Sequence, residues 1–326
     1  MKRILHSLLS ATMIAVVFAP APALAQAFPS KPIKIIVPFG AGSGTDLLAR
    51  VVGERISETL GVPVVAENRE GAGGLVGATA TQKSPADGYT IMMAANPFVV
   101  APHLQATLPY DVEKDFAPVA KIGVLPMALV TASSSPYRTV AELVEFAKAN
   151  PGKLNYANSG KGSPSHLEME LIKQALGLQI QDIPYKSVGQ AMTDTLGGQV
   201  ALYFPTVPAA YAQHKSGKLR ILGIGSAKRA AQAPDVPTLA EALGKPGWEA
   251  TVWYGFVAPA GTPREAIARL SDAIVKAMDH PPVRDRIEKS GTEIEAGNAD
   301  VFGTLLKREN DKWAALVKSL GLKATN

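Results

Sequence analysis

Residues 33–61 read IKIIVPFGAGSGTDLLARVVGERISETLG, and the architecture of the chain follows from them. Ile33–Phe39 is a short apolar run, which is typical of a buried strand. Asp46–Leu60 places its large apolar side chains on one helical face, and Gly61 is a helix-ending residue. A glycine-rich loop joins the two. The stretch therefore predicts strand, loop and helix, the opening half of a βαβ unit.

The same alternation continues along the chain. Val62–Glu67 and Tyr89–Ala95 complete a first βαβαβ set, with a glycine-rich turn at Gly71–Gly74 between them. The further predicted strands are Met127–Ala132, Leu154–Asn158, Ile180–Lys186, Val200–Phe204, Leu219–Ser226 and Thr251–Ala258. Helices are predicted at Pro263–Met278 and at about Asp300 to Leu320. The pattern indicates an α/β protein with mostly parallel sheets flanked by helices.

Two sheets imply two lobes with a ligand cleft between them. We expect residues 28–126 and 251–326 to form lobe 1, and residues 127–250 to form lobe 2. Ile122–Thr131 and Val252–Ala258 are the candidate segments that cross between the lobes. Ligands of open α/β sheets bind beyond the carboxyl ends of the strands, so the polar loops at those ends are candidate sites.

Residues 1–27 have the layout of a secretory signal peptide. Lys2 and Arg3 precede an apolar run, and Ala23-Leu24-Ala25 and Ala25-Gln26-Ala27 both fit a cleavage site. The alternative is an uncleaved membrane anchor, but the run is short and Pro20 and Pro22 interrupt it. The sequence has no cysteine, which excludes a lipid anchor on an N-terminal cysteine. We expect a mature protein in the periplasm.

Composition excludes several classes of function. The chain contains no cysteine, so disulfides and thiolate metal sites are excluded. Removing Lys2 and Arg3 from 33 basic and 28 acidic residues leaves a net charge of +3. That charge is too small to favour nucleic acid, and no basic run is interleaved with aromatic residues.

The first candidate site is the loop that precedes Asp46. Glycines allow the backbone to approach a ligand, and the following helix offers free amides and its positive dipole end to an anion. The candidate ligand-binding residues are Phe39, Ala41, Ser43, Gly44 and Thr45. Thr45 stands where a G-x-G-x-x-G motif requires glycine, and no Gly-Lys-Ser/Thr ends a P-loop. The alternative is a simple turn, and Asp46 would partly oppose a nearby anion.

The second candidate site repeats this chemistry in the predicted second lobe. Asn158-Ser159-Gly160-Lys161-Gly162-Ser163-Pro164-Ser165-His166 again joins a strand end to a helix. The candidate ligand-binding residues are Ser159, Gly162, Ser163 and His166. Ser163 has an alternative role as the helix cap, followed by proline at the first helical position. His166 has an alternative role as a structural residue, and Lys161 as a solvated one.

Three further strand ends supply the remaining candidates. These ligand-binding residues are Ala95, Asn96, Tyr185, Phe204, Pro205 and Thr206. Asn96 offers both a donor and an acceptor, or else merely forms the turn before Pro97. Phe204 and Pro205 would provide an apolar wall, and Thr206 one hydroxyl.

The sequence lacks the motifs of an enzyme. It has no G-x-S-x-G elbow and no H-E-x-x-H, and its five histidines are scattered. Acidic residues near the glycine-rich loops are few, so a pair of acid–base carboxylates has no evident place. Glycines and hydroxyls at helix starts indicate binding without conversion. We therefore expect no enzymatic activity, no cofactor and no metal.

Short motifs along nearly all of the mature chain match those of one known protein family. The motifs are Phe28-Pro29-Ser30-Lys31-Pro32-Ile33, Pro38-Phe39 with Asp46 and Arg50, Asn68 with Gly71-Ala72-Gly73-Gly74, Pro85-Ala86-Asp87-Gly88-Tyr89-Thr90, Leu108-Pro109-Tyr110-Asp111, Lys114-Asp115-Phe116, Pro151-Gly152-Lys153-Leu154, Gly160-Lys161-Gly162-Ser163 with His166, Pro184-Tyr185-Lys186, Gly217-Lys218-Leu219-Arg220 and Ala258-Pro259-Ala260-Gly261-Thr262-Pro263. Together they resemble the substrate-binding proteins of tripartite tricarboxylate transporters, the Bug-type periplasmic receptors.

The resemblance implies a two-lobed type II periplasmic binding-protein fold that closes on its ligand. It also implies delivery to a membrane permease of two integral subunits. Loops from both lobes would hold one ligand carboxylate, here at Phe39 to Thr45 and Ser159 to Ser163. The family's ligands include di- and tricarboxylates, acidic amino acids, nicotinate-type acids and aromatic dicarboxylates.

Three positions depart from the family pattern. Ser187 replaces a usual glycine, Ala201 a common aspartate, and Pro205-Thr206 follows Phe204 where an acidic residue is frequent. The missing acid favours a di- or aromatic carboxylate over an amino acid. We expect a monomer that binds a small organic carboxylate and no nucleic acid. A sensor subunit that presents its ligand to a membrane kinase is the alternative function, with the same fold.

The layout of residues 1–27 predicts that the mature protein begins between Gln26 and Phe28. N-terminal sequencing of the periplasmic fraction should find this start, because a signal peptidase cleaves after small-x-small patterns. Periplasmic protein that still begins at Met1 would contradict the prediction.

Overall fold

A computed structural model describes residues 28–107, 109–230 and 233–322. The predicted signal peptide lies outside the described residues. Within them, no helix has the length and apolar character needed to cross a membrane.

The strands lie close to where hydrophobic runs predict them. In chain order they are β1 Ile33–Val37, β2 Val64–Asn68, β3 Thr90–Ala95, β4 Phe116–Pro126, β5 Ala128–Ala132, β6 Leu154–Asn158, β7 Ile180–Pro184, β8 Leu202–Tyr203, β9 Leu219–Ile224, β10 Thr251–Pro259 and β11 Glu293–Gly297. The predicted bounds of β6 are confirmed. β11 was not predicted as a strand, and only the part of β4 from Ile122 onward falls within a predicted crossing strand.

The helices also lie close to where the sequence predicts them. In chain order they are α1 Gly44–Leu60, α2 Leu75–Gln82, α3 Pro97–Val100, α4 Val140–Ala149, α5 Pro164–Leu176, α6 Val188–Leu196, α7 Val207–Lys215, α8 Leu239–Leu243, α9 Arg264–Met278, α10 Pro281–Lys289 and α11 Ala299–Ser319. Gly61 caps α1 in the left-handed region at φ 71°, as its position after the apolar pattern predicts. The sequence did not predict α10.

The described strands form two sheets, and helices flank both. The first sheet has the order β11-β4-β10-β3-β1-β2, and the second has the order β7-β6-β8-β5-β9. The α/β two-lobed fold is thereby confirmed, but both sheets are mixed and not mostly parallel. Strands β1, β2 and β3 are parallel, whereas β10 runs antiparallel to both β3 and β4. In the second sheet β5 is antiparallel to β8 and β9.

The chain crosses between the two sheets twice, from β4 to β5 and from β9 to β10, and the backbones of the two crossings hydrogen-bond to each other. Met127 N–H donates to Ala250 O at 3.0 Å, Ala250 N–H to Gly225 O at 2.9 Å, and Gly225 N–H to Met127 O at 2.7 Å. The candidate crossing at Ile122–Thr131 contains Met127 and is confirmed. The candidate crossing at Val252–Ala258 is wrong, because that segment lies within β10 in the first sheet. The second connection lies at Gly225–Ala250.

Apolar side chains fill the space on both faces of each sheet. In the first sheet one face packs against α1 and α9, with Ile56, Ile274 and Phe256 fully buried. The opposite face packs against α11, where Trp313 and Phe302 cover Trp253 of β10. Strand β10 thus has large side chains on both faces, which places it at the centre of the first lobe.

Candidate ligand-binding site

Two loops with matching spacing follow β1 and β6, the strands next to an edge of each sheet. Gly40-Ala41-Gly42-Ser43-Gly44-Thr45-Asp46 follows β1, and Gly160-Lys161-Gly162-Ser163-Pro164-Ser165-His166 follows β6. Both have the form G-x-G-S-x-[T/S]-[D/H]. The middle glycine has a positive φ in each loop, 82° at Gly42 and 78° at Gly162, which explains why glycine stands there.

The first loop presents the start of α1. Ser43 is the N-cap, and its Oγ accepts from Asp46 N–H at 3.3 Å and lies 2.9 Å from Thr45 Oγ1. Gly44 and Thr45 belong to the first helical turn, where an amide has no intrahelical acceptor. Gly44 and Ser43 are not buried. The loop therefore offers amide and hydroxyl donors at the positive end of a 17-residue helix.

The charge of Asp46 is neutralised inside the protein. Its Oδ1 accepts from Arg50 Nε at 3.0 Å and from Asn68 Nδ2 at 2.9 Å, and its Oδ2 accepts from Gly42 N–H at 3.0 Å. The Arg50 hydrogen bond is the main cause that lowers the pKa of Asp46 to about 2. Asp46 is thus an internal anchor of the loop, and Arg50 offsets the repulsion that the carboxylate would exert on an anion.

The second loop has the same hydrogen bonds with different side chains. Ser163 is the N-cap of α5, and its Oγ accepts from His166 N–H at 3.3 Å and lies 3.1 Å from Ser165 Oγ. Gly162 N–H points at His166 Nδ1 at 3.4 Å, as Gly42 N–H does at Asp46. Burial is the main cause that lowers the pKa of His166. A neutral His166 that accepts at Nδ1 carries its proton on Nε2.

Ser163 and His166 therefore both have the structural roles that the sequence leaves open as alternatives. Ser163 caps α5, and His166 is 3% exposed beneath the loop. Ser159 extends the hydroxyl cluster, because its Oγ lies 3.3 Å from Ser165 Oγ. Ligand contact by these residues stays a prediction.

The other predicted residues lie at the ends of their strands with most polar groups engaged. Asn96 donates from Nδ2 to Thr251 O at 3.0 Å and accepts at Oδ1 from Trp253 N–H at 2.8 Å, so it ties β3 to β10. Ala95 is buried in the same ladder. Tyr185 donates from its hydroxyl to Asp194 Oδ2 at 2.9 Å.

The apolar wall proposed at Phe204 lies deeper than expected. Phe204 is 0% exposed and belongs to the core of the second lobe. Pro205 O accepts from Ala128 N–H at 2.8 Å, and Thr206 forms a bridge with Met127. These residues position the site next to the crossing segments, and their contact with a ligand stays a prediction.

Four residues that sequence reasoning missed lie against the two loops. A Cβ placed on Gly44 would lie 3.4 Å from the Tyr254 hydroxyl, and one on Gly40 would lie 2.8 Å from Glu70 Oε2. A Cβ on Gly162 would lie 2.2 Å from Leu104, a residue that follows β3. Asn158 is fully buried, and its Nδ2 has no partner among the described residues. Of these, only Asn158 carries a sequence signal, since it directly precedes the second loop.

The donors that the two loops offer to a ligand are mostly neutral amides and hydroxyls. Arg50 is engaged with Asp46, and Lys161 is exposed on the second loop. Among the described residues, no group of three or more histidine, cysteine or acidic side chains could hold a metal ion. The arrangement therefore suits a small anion held by amides and hydroxyls.

Residues 48–322 match the family described as tripartite tricarboxylate transporter family receptor. The chain belongs to this family. Protein BugT of Bordetella pertussis is 38% identical over 305 residues, which cover 93% of each chain. The resemblance inferred from motifs is thus confirmed, and the family consists of solute-binding receptors.

Solved structures of other receptors share the fold. The periplasmic binding protein BugD is 34% identical and superimposes with a TM-score of 0.71, covering 91% of this chain and all of its own. MatC from Rhodopseudomonas palustris, solved with bound malate, is 30% identical with a TM-score of 0.70 over 89% of this chain and 100% of its own. An R. palustris protein solved with adipate is 32% identical with a TM-score of 0.73 over 90% of this chain and 98% of its own.

The anchor at Asp46 predicts a specific loss of stability in acid. A carboxyl whose folded pKa is lowered contributes stability that is present above its unfolded pKa, 3.8, and is lost as pH falls towards about 2. Asp46→Asn should lower the free energy of unfolding at neutral pH by about 2 kcal/mol and flatten its decline between these pH values. Urea unfolding across this range measures the effect.

The control is Asp285→Asn, which removes an exposed carboxylate paired with Lys289 at 2.7 Å. Surface pairs contribute little, so this variant should follow the wild type. Equal acid sensitivity in Asp46→Asn and the wild type would contradict the role given to Asp46.

Proposed function

We propose that the protein is a periplasmic receptor that binds a small organic carboxylate between its lobes and delivers it to a membrane permease of two integral subunits. The observation that carries the proposal is the pair of serine-capped helix N-termini, one following β1 of the first sheet and one following β6 of the second. Each supplies amide and hydroxyl donors, and neither anchor side chain strongly opposes an anion, because Asp46 is paired with Arg50 and His166 is neutral.

The strength of such a site suits reversible capture. A hydrogen bond to a charged group contributes about 1.5–3 kcal/mol, so four give a gross attraction of roughly 6–12 kcal/mol. Binding costs reduce this sum, and a micromolar complex requires about −8 kcal/mol. Donors of this kind hold the carboxylate without a salt bridge. Because the complex is only of micromolar strength, the receptor can release the carboxylate to a permease.

The ligand we favour is a dicarboxylate or an aromatic carboxylate. Malate and adipate, seen in the two R. palustris proteins, both carry two carboxylates. In this chain Pro205-Thr206 occupies the place where an acid would suit a ligand amino group. Glu70 beside Gly40 disfavours a second negative charge at that point, so we place the other end of the ligand towards lobe 2.

The remaining parts of the proposal follow from this role. We infer a monomer that lacks catalysis, exported by its signal peptide, with lobe 1 formed by residues 28–126 and 251–326 and lobe 2 by 127–250. The hydrogen-bonded crossing at Met127, Gly225 and Ala250 supports this division, since it is the point where the chain changes sheet. Rotation about it would let the lobes close on a ligand.

A thermal-shift screen of carboxylates tests the function. A carboxylate at 100 times its dissociation constant should stabilise the protein by about 2.7 kcal/mol, because only the folded state binds it. Malate, adipate and benzene dicarboxylates form the first set, and their neutral diamides are matched controls. Stabilisation by the diamides as strong as by the acids, or by no carboxylate at all, would oppose the proposal.

Calorimetry on two variants tests how the anion is held. Ser163→Ala removes one hydroxyl donor and the α5 cap, and should weaken binding of the best carboxylate by around tenfold or more. Lys161→Ala should matter less, because an exposed ammonium is screened and mobile.

Thr139→Ala is the matched control, because it removes the cap of α4 away from the loops. It should cost stability of about 1 kcal/mol and leave affinity unchanged. If Lys161→Ala abolishes binding while Ser163→Ala has no effect, a salt bridge holds the carboxylate and the proposed mode is wrong.

A further inference from the structure

Helix α5 links the second glycine-rich loop to the first lobe. Its N-terminus carries the cap Ser163, and its side chain Leu167 is 1% exposed within the apolar cluster formed by Trp253 and Trp313 of lobe 1. Leu171, one turn further, packs against the same cluster. A rotation of lobe 2 that moves the loop must therefore move α5 across lobe 1.

An acidic side chain lies inside this contact. Glu168 is 2% exposed, and its Oε1 accepts from Lys312 Nζ of α11 at 3.4 Å. Its Oε2 has no hydrogen-bond partner among the described residues. Lys312 also lies 4.0 Å from the centre of the Trp313 ring, which fixes the ammonium against lobe 1. Glu168 and Lys312 are thus an ion pair between the lobes.

Other charged groups in this contact come from α11 and from the segment before β10. Glu309 is buried beside the pair and accepts from Trp313 Nε1 at 2.9 Å. Arg308 and Glu249 line an adjoining cavity of about 260 Å³, which Lys312 and Glu309 also line. The cavity lies between α5 and α11, so a lobe rotation changes its shape and brings water to the pair.

Burial raises the pKa of Glu168 to about 7, aided by the charge of Glu309 and opposed by that of Lys312. A carboxylate with one unpaired oxygen is costly to bury while it is ionised, and far less so once protonated. Opening the contact returns the group to water, where its pKa is near 4.5. The contact therefore takes up a proton when it forms near neutral pH.

We propose that the contact of α5 with α11 around buried Glu168 is an interlobe latch. Protonation of Glu168 strengthens it by removing the cost of burying an unpartnered carboxylate oxygen, so that acidity favours the interlobe arrangement of this structure. The link to ligand capture rests on the proposed function, but the latch itself is a property of the lobes. The advantage of the α5–α11 contact is complete below about pH 4.5, where Glu168 is protonated in both states, and is lost as pH rises through about 7.

Interlobe distances measured without ligand test the latch. The chain has no cysteine, so Glu145→Cys on α4 and Arg269→Cys on α9, both exposed, place one spin label in each lobe. The population with the interlobe distance of this structure should decline as pH rises through about 7. Glu168→Gln keeps the size of the side chain without its titration, and should hold this population constant across pH.

Two more variants test whether Glu168 is the group that causes the pH dependence. Lys312→Met should shift the transition to higher pH, because the ammonium lowers the pKa of Glu168. Glu170→Gln is the matched control on the same helix, since Glu170 pairs with Tyr156 and Lys173 within lobe 2. It should keep the pH dependence of the wild type.

A distance that does not change with pH in the wild type overturns the proposal, as does a transition that persists in Glu168→Gln. Neither outcome depends on carboxylate binding. Failure of the thermal-shift screen would leave the latch intact, and failure of the latch would leave the receptor function intact.

Discussion

The first amides of an α-helix have no acceptors within the helix, and the binding region of this protein is built around that constraint. Both glycine-rich loops end in a serine cap whose hydroxyl accepts from one amide of the first helical turn. The sheets, the caps and the anchors Asp46 and His166 hold these two helix starts in place. In the proposed function, a bound carboxylate would complete the hydrogen bonding of these helix starts.

The two loops differ most in how they anchor their middle glycine. In lobe 1 the acceptor is an ionised carboxylate held by Arg50 and Asn68, whereas in lobe 2 it is a neutral imidazole. The same backbone shape is therefore reached with different local charge. The first turn of α5 therefore contains no acidic residue, whereas that of α1 contains Asp46.

Local patterns predict the elements that lie next to the site. Ser163 before Pro164, and Gly61 after the apolar face of α1, define helix ends by their own chemistry, so these bounds were predictable. Strand β4 was not, because Pro118 and Pro126 break its pattern and its pairing with β10 depends on residues far along the chain. The positions of Tyr254 and Leu104 beside the loops could not be predicted for the same reason, since no sequence signal shows that they approach Gly44 and Gly162.

Strand β10 has a consequence for the order in which the protein is assembled. It lies between β3 and β4 in the first sheet, although the chain forms all of the second sheet before reaching it. The strands of the second sheet, β5 to β9, come from one continuous stretch of chain, and Met127 before it hydrogen-bonds to Ala250 after it. The lobe that begins the polypeptide is therefore the last to be finished, and its central gap stays unfilled until residue 259 has been synthesised. The N-terminal strands of such a chain therefore leave the ribosome before the strand that completes their sheet has been made.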